Sequence, residues 1–241
     1  MNLVADIGNT LVKIGLFDND RLIKSFSYHA ISQKTITELH SKYGELHNAI
    51  ISDVTGRRKK FESIFKKIPG IIFLNSKTRL PFINKYKTPD TLGTDRLSLV
   101  AGAMKYFRGK NVLVVSAGTC VTYDFINRKK EYTGGSISPG MRMRLAALNH
   151  FTSRLPLVKL KDIQKISGST TADSILIGVV NGMTYEIDGF ISDYKKKYSD
   201  IHVILTGGDT FFFVKRLKNS IFAAPELTLT GLNEILKHNV R

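Results

Sequence analysis

The feature that most constrains the fold of this chain is a pattern that occurs twice. The stretch DIGNT (residues 6–10) interrupts a run of alternating apolar and polar residues, and SAGTC (residues 116–120) interrupts another. Each is followed by an alternating segment, a polar turn (18–20 or 127–129) and a third alternating segment. Period-two alternation predicts β-strands. The chain is therefore expected to contain two β-β-β-then-α halves, related by duplication, with a cleft between them.

The remaining segments predict helices between and after these strands. Apolar runs bounded by turn residues favour strands, whereas longer 3.6-residue patterns favour helices. We expect an α/β protein with one half at residues 1–108 and the other at 109–241. The predicted strands are 2–8, 11–18, 21–28, 48–53, 71–74 and 201–205, together with a second set of short strands within 111–140. The predicted helices are 32–44, 57–67, 93–107, 140–150, 171–197, 208–217 and 228–238.

The formal net charge of +16 raises the question of an anionic partner. The basic residues are spread along the chain, and the short clusters at 57–60 and 195–197 lie in predicted helices, as solvated faces do. We therefore expect small anionic ligands rather than nucleic acid. A single cysteine, Cys120, excludes a disulfide framework, and no apolar run approaches the roughly 20 residues of a membrane span. The sequence thus predicts a cytoplasmic protein without a membrane partner.

Three glycine-bearing turns carry the candidate chemistry. A turn such as Gly8 to Thr10 can direct successive backbone N–H groups at a phosphate, with Lys13 on the strand beyond. Asp6 could hold Mg²⁺ through water, because this ion takes one or two carboxylates together with phosphate oxygens. At the turn Gly118-Thr119 and at the strand-to-helix junction Gly207-Gly208, the backbone could also come close to a nucleotide, because glycine has no side chain.

Five segments in order resemble type III pantothenate kinases, enzymes of bacterial coenzyme A synthesis. They are DIGNTLVK (6–13), YKTPDTLGTDR (86–96), SAGTCVTYD (116–124), TGGSISPGMRMRLAALNHFTSRLP (133–156) and LTGGD (205–209). The resemblance implies the fold of the acetate and sugar kinase, heat-shock chaperone and actin superfamily. It implies two actin-like (ribonuclease H-like) halves, each a mixed sheet with flanking helices, and an active site in the cleft between them. It also implies ATP-dependent phosphorylation of pantothenate by a homodimer.

The resemblance assigns roles to particular residues. Asp95 matches the general base, and a carboxylate beside the attacking hydroxyl can accept its proton. The implied pantothenate contacts are Tyr86, Gly93, Thr94, Asp95, Arg96 and Thr171. The implied ATP contacts are the loop Asp6, Ile7, Gly8, Asn9, Thr10, Leu11, Val12 and Lys13, together with Thr119; Gly207 and Gly208 complete the predicted nucleotide set.

Ser116 departs from the family pattern. An aspartate commonly stands at this position and helps to hold potassium or ammonium, whereas a hydroxyl is a far weaker cation ligand. The sequence leaves open whether the ion is still bound or a nearby lysine replaces it.

Other interpretations remain open for the chain and for its single residues. The chain could be a regulator that has lost catalysis, or a kinase for another small alcohol. Asp95 could be only a first-turn helix residue, and Tyr86 and Thr171 could be structural. The six histidines show no metal-ligand spacing, and Cys120 is expected to be a small packing residue.

Overall fold

A computed structural model describes residues 1–240 of the chain. Its elements alternate between strands and helices, as the sequence predicts. The strands are β1 (Asn2–Ile7), β2 (Val12–Asp18), β3 (Arg21–Tyr28), β4 (Asn48–Asp53), β5 (Gly70–Phe73), β6 (Ile83–Asn84), β7 (Asn111–Ala117), β8 (Cys120–Ile126), β9 (Glu131–Pro139), β10 (Ile201–Thr206) and β11 (Phe222–Ala223). The helices are α1 (Gln33–Tyr43), α2 (Arg58–Phe65), α3 (Thr94–Tyr106), α4 (Met141–His150), α5 (Thr171–Lys197), α6 (Thr210–Val214) and α7 (Leu227–Val240).

The chain forms two compact units. The first takes in residues 1–108, 129–133 and 226–240, and the second takes in 109–128 and 134–225. The assignment of separate binding roles to residues 1–108 and 109–241 stays a prediction. None of the helices in residues 1–240 combines the length and the apolar character that crossing a bilayer requires.

The first unit is built on a mixed five-stranded sheet with the order β3-β2-β1-β4-β5. Strands β1, β2 and β3 form the predicted antiparallel meander, whereas β4 and β5 run parallel to β1. Alternate residues of β1, β2 and β4 pack with apolar residues of α1 and α2 into one core. On the sheet, α7 contacts β1 and β4, and α3 packs along α7. The carboxyl ends of β1 and β4 therefore lie side by side between the two helical layers.

The second unit repeats the plan. Its sheet has the order β11-β10-β7-β8-β9, with β7 and β8 antiparallel and β10 parallel to β7. Residues Leu113, Val115 and Ala117 of β7 face a core completed by α4, α5 and α6. The alternate residues, including Ser116, lie on the opposite face. Within the first unit, β6 pairs in parallel with Glu131 and Tyr132, the first residues of β9.

The second turns of the two meanders share an unusual backbone conformation. Asn19 (φ +50°) and Lys130 (φ +61°) are the non-glycine residues with positive φ among residues 1–240. Asn19 lies between β2 and β3, and Lys130 lies between β8 and β9. The two meanders therefore match in turn geometry as well as in strand order.

Three features differ from the prediction. The helix expected at 208–217 is shorter, Thr210–Val214. It starts late because Gly207 has a left-handed φ of +97° and the Asp209 N–H donates to Ala117 O. The two-residue strands β6 and β11 were not predicted, since two residues show no periodicity. A 3-10 turn at Pro89–Thr91 also precedes α3.

Candidate functional site

Two carboxylates lie close together in the first unit. Asp6 is on β1, and its register neighbours are Lys13 on β2 and Ser52 on β4. Its Oδ1 atom is buried and has no hydrogen-bond partner within residues 1–240. Burial raises the pKa of Asp6 from 3.8 to about 6, and the negative charge of Asp95 adds to the rise, while Lys13 and Ser52 oppose it. The carboxylate of Asp95 therefore lies near enough to Asp6 to affect its charge.

The start of α3 places Asp95 beside this pair of strands. Helix α3 begins at Thr94, and the Arg96 N–H donates to Asp95 Oδ1 at 2.9 Å. The hydroxyls of Ser52 and Thr94 are hydrogen-bonded at 2.9 Å, which ties the end of β4 to the first residue of the helix. Ser52 is fully buried and was not predicted to belong to the site. Its only sequence signal is its place at the end of a buried strand.

Arg96 lies in an aromatic stack. The side chain is 4% exposed, and Cζ lies 5.7 Å from the centre of the Tyr86 ring, a cation–π arrangement. The Tyr86 ring stacks on Tyr132, with centroids 6.4 Å apart and planes 12° apart. The Lys85 N–H donates to Tyr132 O at 2.8 Å, so the backbone also holds Tyr86 near this residue. The structure thus brings Tyr86 and Arg96 together and adds Tyr132, which sequence reasoning missed.

The carboxylates of the first unit fit a magnesium ion held together with phosphates. Asp6 Oδ1 and Asp53 Oδ2 are buried and make no hydrogen bond in the described part of the chain. Asp53 pairs in register with Ile7, while its other oxygen accepts from the Thr55 N–H and hydroxyl. Residues 1–240 contain no cluster of three or more His, Cys, Asp or Glu side chains that would bind a metal alone. Mg²⁺ needs only one or two carboxylates when phosphates supply further ligands.

We expect the free energy of unfolding to fall as the pH rises from about 4 to 6, because of Asp6. Unfolded aspartate releases its proton near pH 3.8, but native Asp6 keeps it to about pH 6, so the native state binds more protons in between. The loss should reach about 3 kcal/mol. Urea unfolding of the wild type and of Asp6→Asn, whose amide does not ionise, measures it. Parallel pH profiles of the two proteins would contradict the prediction.

In the second unit, three glycine segments meet at close range. A Cβ on Gly140 would lie 2.1 Å from Gly118 O and 2.6 Å from Thr119 O, and one on Gly207 would lie 2.2 Å from Ala117 O. A Cβ on Gly118 would lie 3.9 Å from Gly208 N. The structure therefore brings together the predicted turns at Gly118-Thr119 and Gly207-Gly208. Gly140, at the start of α4, was not predicted to join them.

Replacement of Gly140 by alanine should unfold or distort this glycine cluster. The added Cβ meets backbone oxygens that cannot rotate away, so we expect destabilisation by more than about 2 kcal/mol. Gly189→Ala is the matched control, because its Cβ enters open space on α5 and should stabilise the helix by up to about 1 kcal/mol. Chemical unfolding measures both changes. Equal stability of the two variants would refute the close packing of Gly140 against the carbonyl oxygens of Gly118 and Thr119.

Ser116 lies in the middle of a row of three hydroxyl groups. It pairs in register with Thr206 on β10 and with Thr122 on β8. The hydroxyl oxygens of Thr206 and Thr122 are buried and make no hydrogen bond within residues 1–240. A buried hydroxyl without a partner costs about 1–3 kcal/mol, so these two hydroxyls are candidates for contact with a ligand.

The row does not fit a cation site built around a carboxylate. Its three members are neutral, and the next acid on the same face is Asp124, about 7 Å along β8. Asp209 follows the Gly207-Gly208 turn, and the Arg142 guanidinium donates to its Oδ1 at 3.2 Å. Burial raises the pKa of the Asp209 carboxyl, and Arg142 opposes this rise. The row itself therefore contains no carboxylate.

Thr171 is the first residue of α5, not its cap. The cap is Thr170, whose hydroxyl accepts from the Asp173 N–H at 3.1 Å. Thr171 lines a cavity of about 800 Å³ in the second unit, together with Arg144 and Phe151. Arg144 donates to Ser138 Oγ at 2.8 Å and pairs with Glu186. The cavity wall thus combines an apolar surface with one fixed cation.

Solved structures of low sequence identity share this fold. The activator of 2-hydroxyisocaproyl-CoA dehydratase from Clostridium difficile, with bound ADPNP, has a TM-score of 0.55 and 12% identity, over 99% of this chain and 93% of that one. Component A of (R)-2-hydroxyglutaryl-CoA dehydratase from Acidaminococcus fermentans also has a TM-score of 0.55, with 11% identity over 99% and 96% of the chains. The protein thus has the duplicated α/β fold of actin-like ATPases and sugar kinases.

Sequence comparison narrows this class to one family. The model of type III pantothenate kinases matches residues 2–193. Proteins named type III pantothenate kinase from Cytophaga hutchinsonii and Christiangramia forsetii are 44% and 43% identical, over 100% and 99% of this chain and of each relative. One from Bacteroides fragilis is 43% identical over 99% of this chain and 98% of its own length. The chain belongs to the type III pantothenate kinase family, which confirms the predicted resemblance.

Proposed function

We propose that this protein transfers the γ-phosphoryl group of ATP to the primary hydroxyl of pantothenate, giving 4′-phosphopantothenate, the first step of coenzyme A biosynthesis. The observation that carries the proposal is the hydrogen bond between the hydroxyls of Ser52 and Thr94. Ser52 is the register neighbour of Asp6 on the predicted ATP loop, and Thr94 directly precedes Asp95 in the predicted pantothenate motif. A phosphoryl transfer needs an acceptor base next to a group that organises the phosphates. Full-length similarity to named pantothenate kinases supports the choice of acceptor.

Asp95 is proposed as the general base. Its Oδ1 atom is fixed by the Arg96 N–H, and its other oxygen would accept the proton of the attacking hydroxyl. The link from Ser52 to Thr94 would keep the start of α3, and with it Asp95, in position. When bound, Mg²⁺ would neutralise charge on the phosphates, and Asp6 is the residue that would hold it, with Asp53 nearby. Lys13 would add a second positive charge at the same strand end.

The remaining predicted contacts form two groups, one for pantothenate and one for ATP. Arg96 presents fixed, planar donors that suit the pantothenate carboxylate, and Tyr86 holds it from one side. Gly93, Thr94 and Thr171 would complete the pantothenate set. Thr119, Gly207 and Gly208, together with the loop at 6–13, would bind ATP through backbone N–H groups.

A panel of acceptors tests the proposal. Purified protein is mixed with ATP, Mg²⁺ and pantothenate or another small alcohol, and ADP release is followed. We expect release with pantothenate and only background release with the others. Preference for another alcohol would identify a different kinase of this fold.

Ser116 favours one alternative, a regulator that binds nucleotide but has lost catalysis. Expression of the chain in a bacterial strain that lacks pantothenate kinase separates the two functions. Rescue of growth excludes the inert regulator, and failure of a well-expressed chain to rescue growth favours it.

The proposal extends to the cofactor, the assembly and the location. We propose Mg²⁺ as the working divalent ion, a homodimer as the active form and the cytoplasm as the site of action, with no membrane or nucleic-acid partner. Loss of turnover on chelation, restored by Mg²⁺, tests the ion. Sedimentation equilibrium tests the dimer, and a mass of one chain would contradict it.

A further inference from the structure

The hydroxyls of Thr206, Ser116 and Thr122 stand side by side across three adjacent strands. Their register places them in one row over β10, β7 and β8, which spans about 10 Å at the usual strand spacing. The row lies next to both glycine turns of the second unit, since Gly207 follows Thr206 and Gly118 comes two residues after Ser116. A ligand held by these turns would therefore meet the row.

The chemistry of the row is that of neutral hydrogen-bond donors. Thr206 is 1% exposed, and the hydroxyls of Thr206 and Thr122 make no hydrogen bond within residues 1–240. Ser116 is partly exposed and supplies a third hydroxyl between them. Each hydroxyl can donate one hydrogen bond, and none carries a negative charge that would repel an anion. Three donors at this spacing suit the oxygens of phosphate groups.

We propose that Thr206, Ser116 and Thr122 form a phosphate subsite that binds the nucleotide directly, so that this chain needs no potassium or ammonium ion for nucleotide binding. The inference rests on the proposed use of ATP. An aspartate at residue 116 would place a negative charge next to the phosphates, and a cation would be needed between them. Serine removes that charge and donates a hydrogen bond instead. The missing acid is then a change of binding mode rather than a loss of function.

The first test is calorimetric titration of ADP and of a non-hydrolysable ATP analogue at constant Mg²⁺. The salt of the buffer is either potassium or tetramethylammonium chloride, and pantothenate is absent. We expect dissociation constants that agree within about twofold, because no potassium ion takes part. Nucleotide binding that tightens about tenfold or more with potassium would overturn the inference.

Removal of single hydroxyls tests the row itself. Thr206→Val, Thr122→Val and Ser116→Ala should each weaken nucleotide binding by about ten- to a hundredfold, the usual cost of one hydrogen bond to a charged group. Thr184→Val is the matched control, because its buried hydroxyl donates to Val180 O on α5 and should not affect binding. Circular dichroism confirms that each variant is folded, and the partly exposed Ser116 provides a variant with little effect on packing. Unchanged affinity in the folded row variants would mean that the row holds only water.

The converse variant, Ser116→Asp, should make nucleotide binding depend on potassium, which the wild type does not need. Ser116→Asp is expected to bind nucleotide about tenfold more weakly than the wild type in tetramethylammonium, and potassium should restore most of the loss. Wild-type affinity of Ser116→Asp without potassium would place the phosphates away from the row and would contradict the inference.

These results are separate from the test of the proposed function. Nucleotide binding through the row without phosphorylation of pantothenate would leave the subsite standing and overturn the kinase. Phosphorylation of pantothenate combined with potassium-dependent nucleotide binding would overturn the subsite alone.

Discussion

Replacement of Asp95 by asparagine is expected to lower kcat by about 10²- to 10⁴-fold, the usual contribution of a general base. The amide keeps the size of the side chain and can still accept from the Arg96 N–H, so the start of α3 should be preserved. It cannot take the proton of the attacking hydroxyl. Binding of pantothenate and of nucleotide should therefore remain close to that of the wild type. Coupled measurement of ADP release gives kcat, and titration gives the affinities.

Asp90→Asn is the matched control for this substitution. Asp90 is an exposed acid in the 3-10 turn just before α3, and the Ser76 hydroxyl donates to it at 2.6 Å. Its replacement should leave kcat within about twofold, because nothing places it next to the reacting groups. Substantial turnover by Asp95→Asn would refute the assignment of the base.

Replacement of Arg96 by lysine should raise the KM for pantothenate by about ten- to a hundredfold, with a smaller effect on kcat. Lysine keeps the charge but loses the planar guanidinium that lies over Tyr86 and can hold a carboxylate through two hydrogen bonds. Hydrogen bonds to a charged group contribute about 1.5–3 kcal/mol, which corresponds to this range. The KM for ATP should stay near that of the wild type. Steady-state kinetics with each substrate varied in turn measure these effects.

Arg108→Lys, at an exposed position just after α3, serves as the control and should change neither KM. An equal rise in the KM for ATP and for pantothenate in Arg96→Lys would show that Arg96 only supports the fold. A rise confined to pantothenate supports a direct contact.

The sequence predicts the strands and the long helices because their patterns are local. Alternation over residues 2–28 specifies the first meander, and the 27-residue helix Thr171–Lys197 follows from a long 3.6-residue pattern. The repeat of DIGNT as SAGTC also anticipates the two β-β-β-then-α halves. Local patterns cannot anticipate the start of α6, which depends on the contact of Asp209 with Ala117 in a distant strand.

The candidate site is predictable where it lies within motifs and not where strand register creates it. Asp6, Asp95 and Arg96 belong to recognisable segments. Ser52 enters the site only because β4 pairs in parallel with β1, and Tyr132 enters because β6 pairs with β9. The hydroxyl row likewise depends on the alignment of β10, β7 and β8. Neighbours of this kind come from pairing between strands far apart in sequence, which a single sequence does not show.

Identification of the product formed from ATP and pantothenate tests the proposed phosphoryl transfer most directly. Phosphorus NMR and mass spectrometry of the reaction mixture should show ADP and 4′-phosphopantothenate in equal amounts, with both absent for Asp95→Asn over the same period. ADP formed without phosphorylated pantothenate would contradict phosphorylation of pantothenate by this protein.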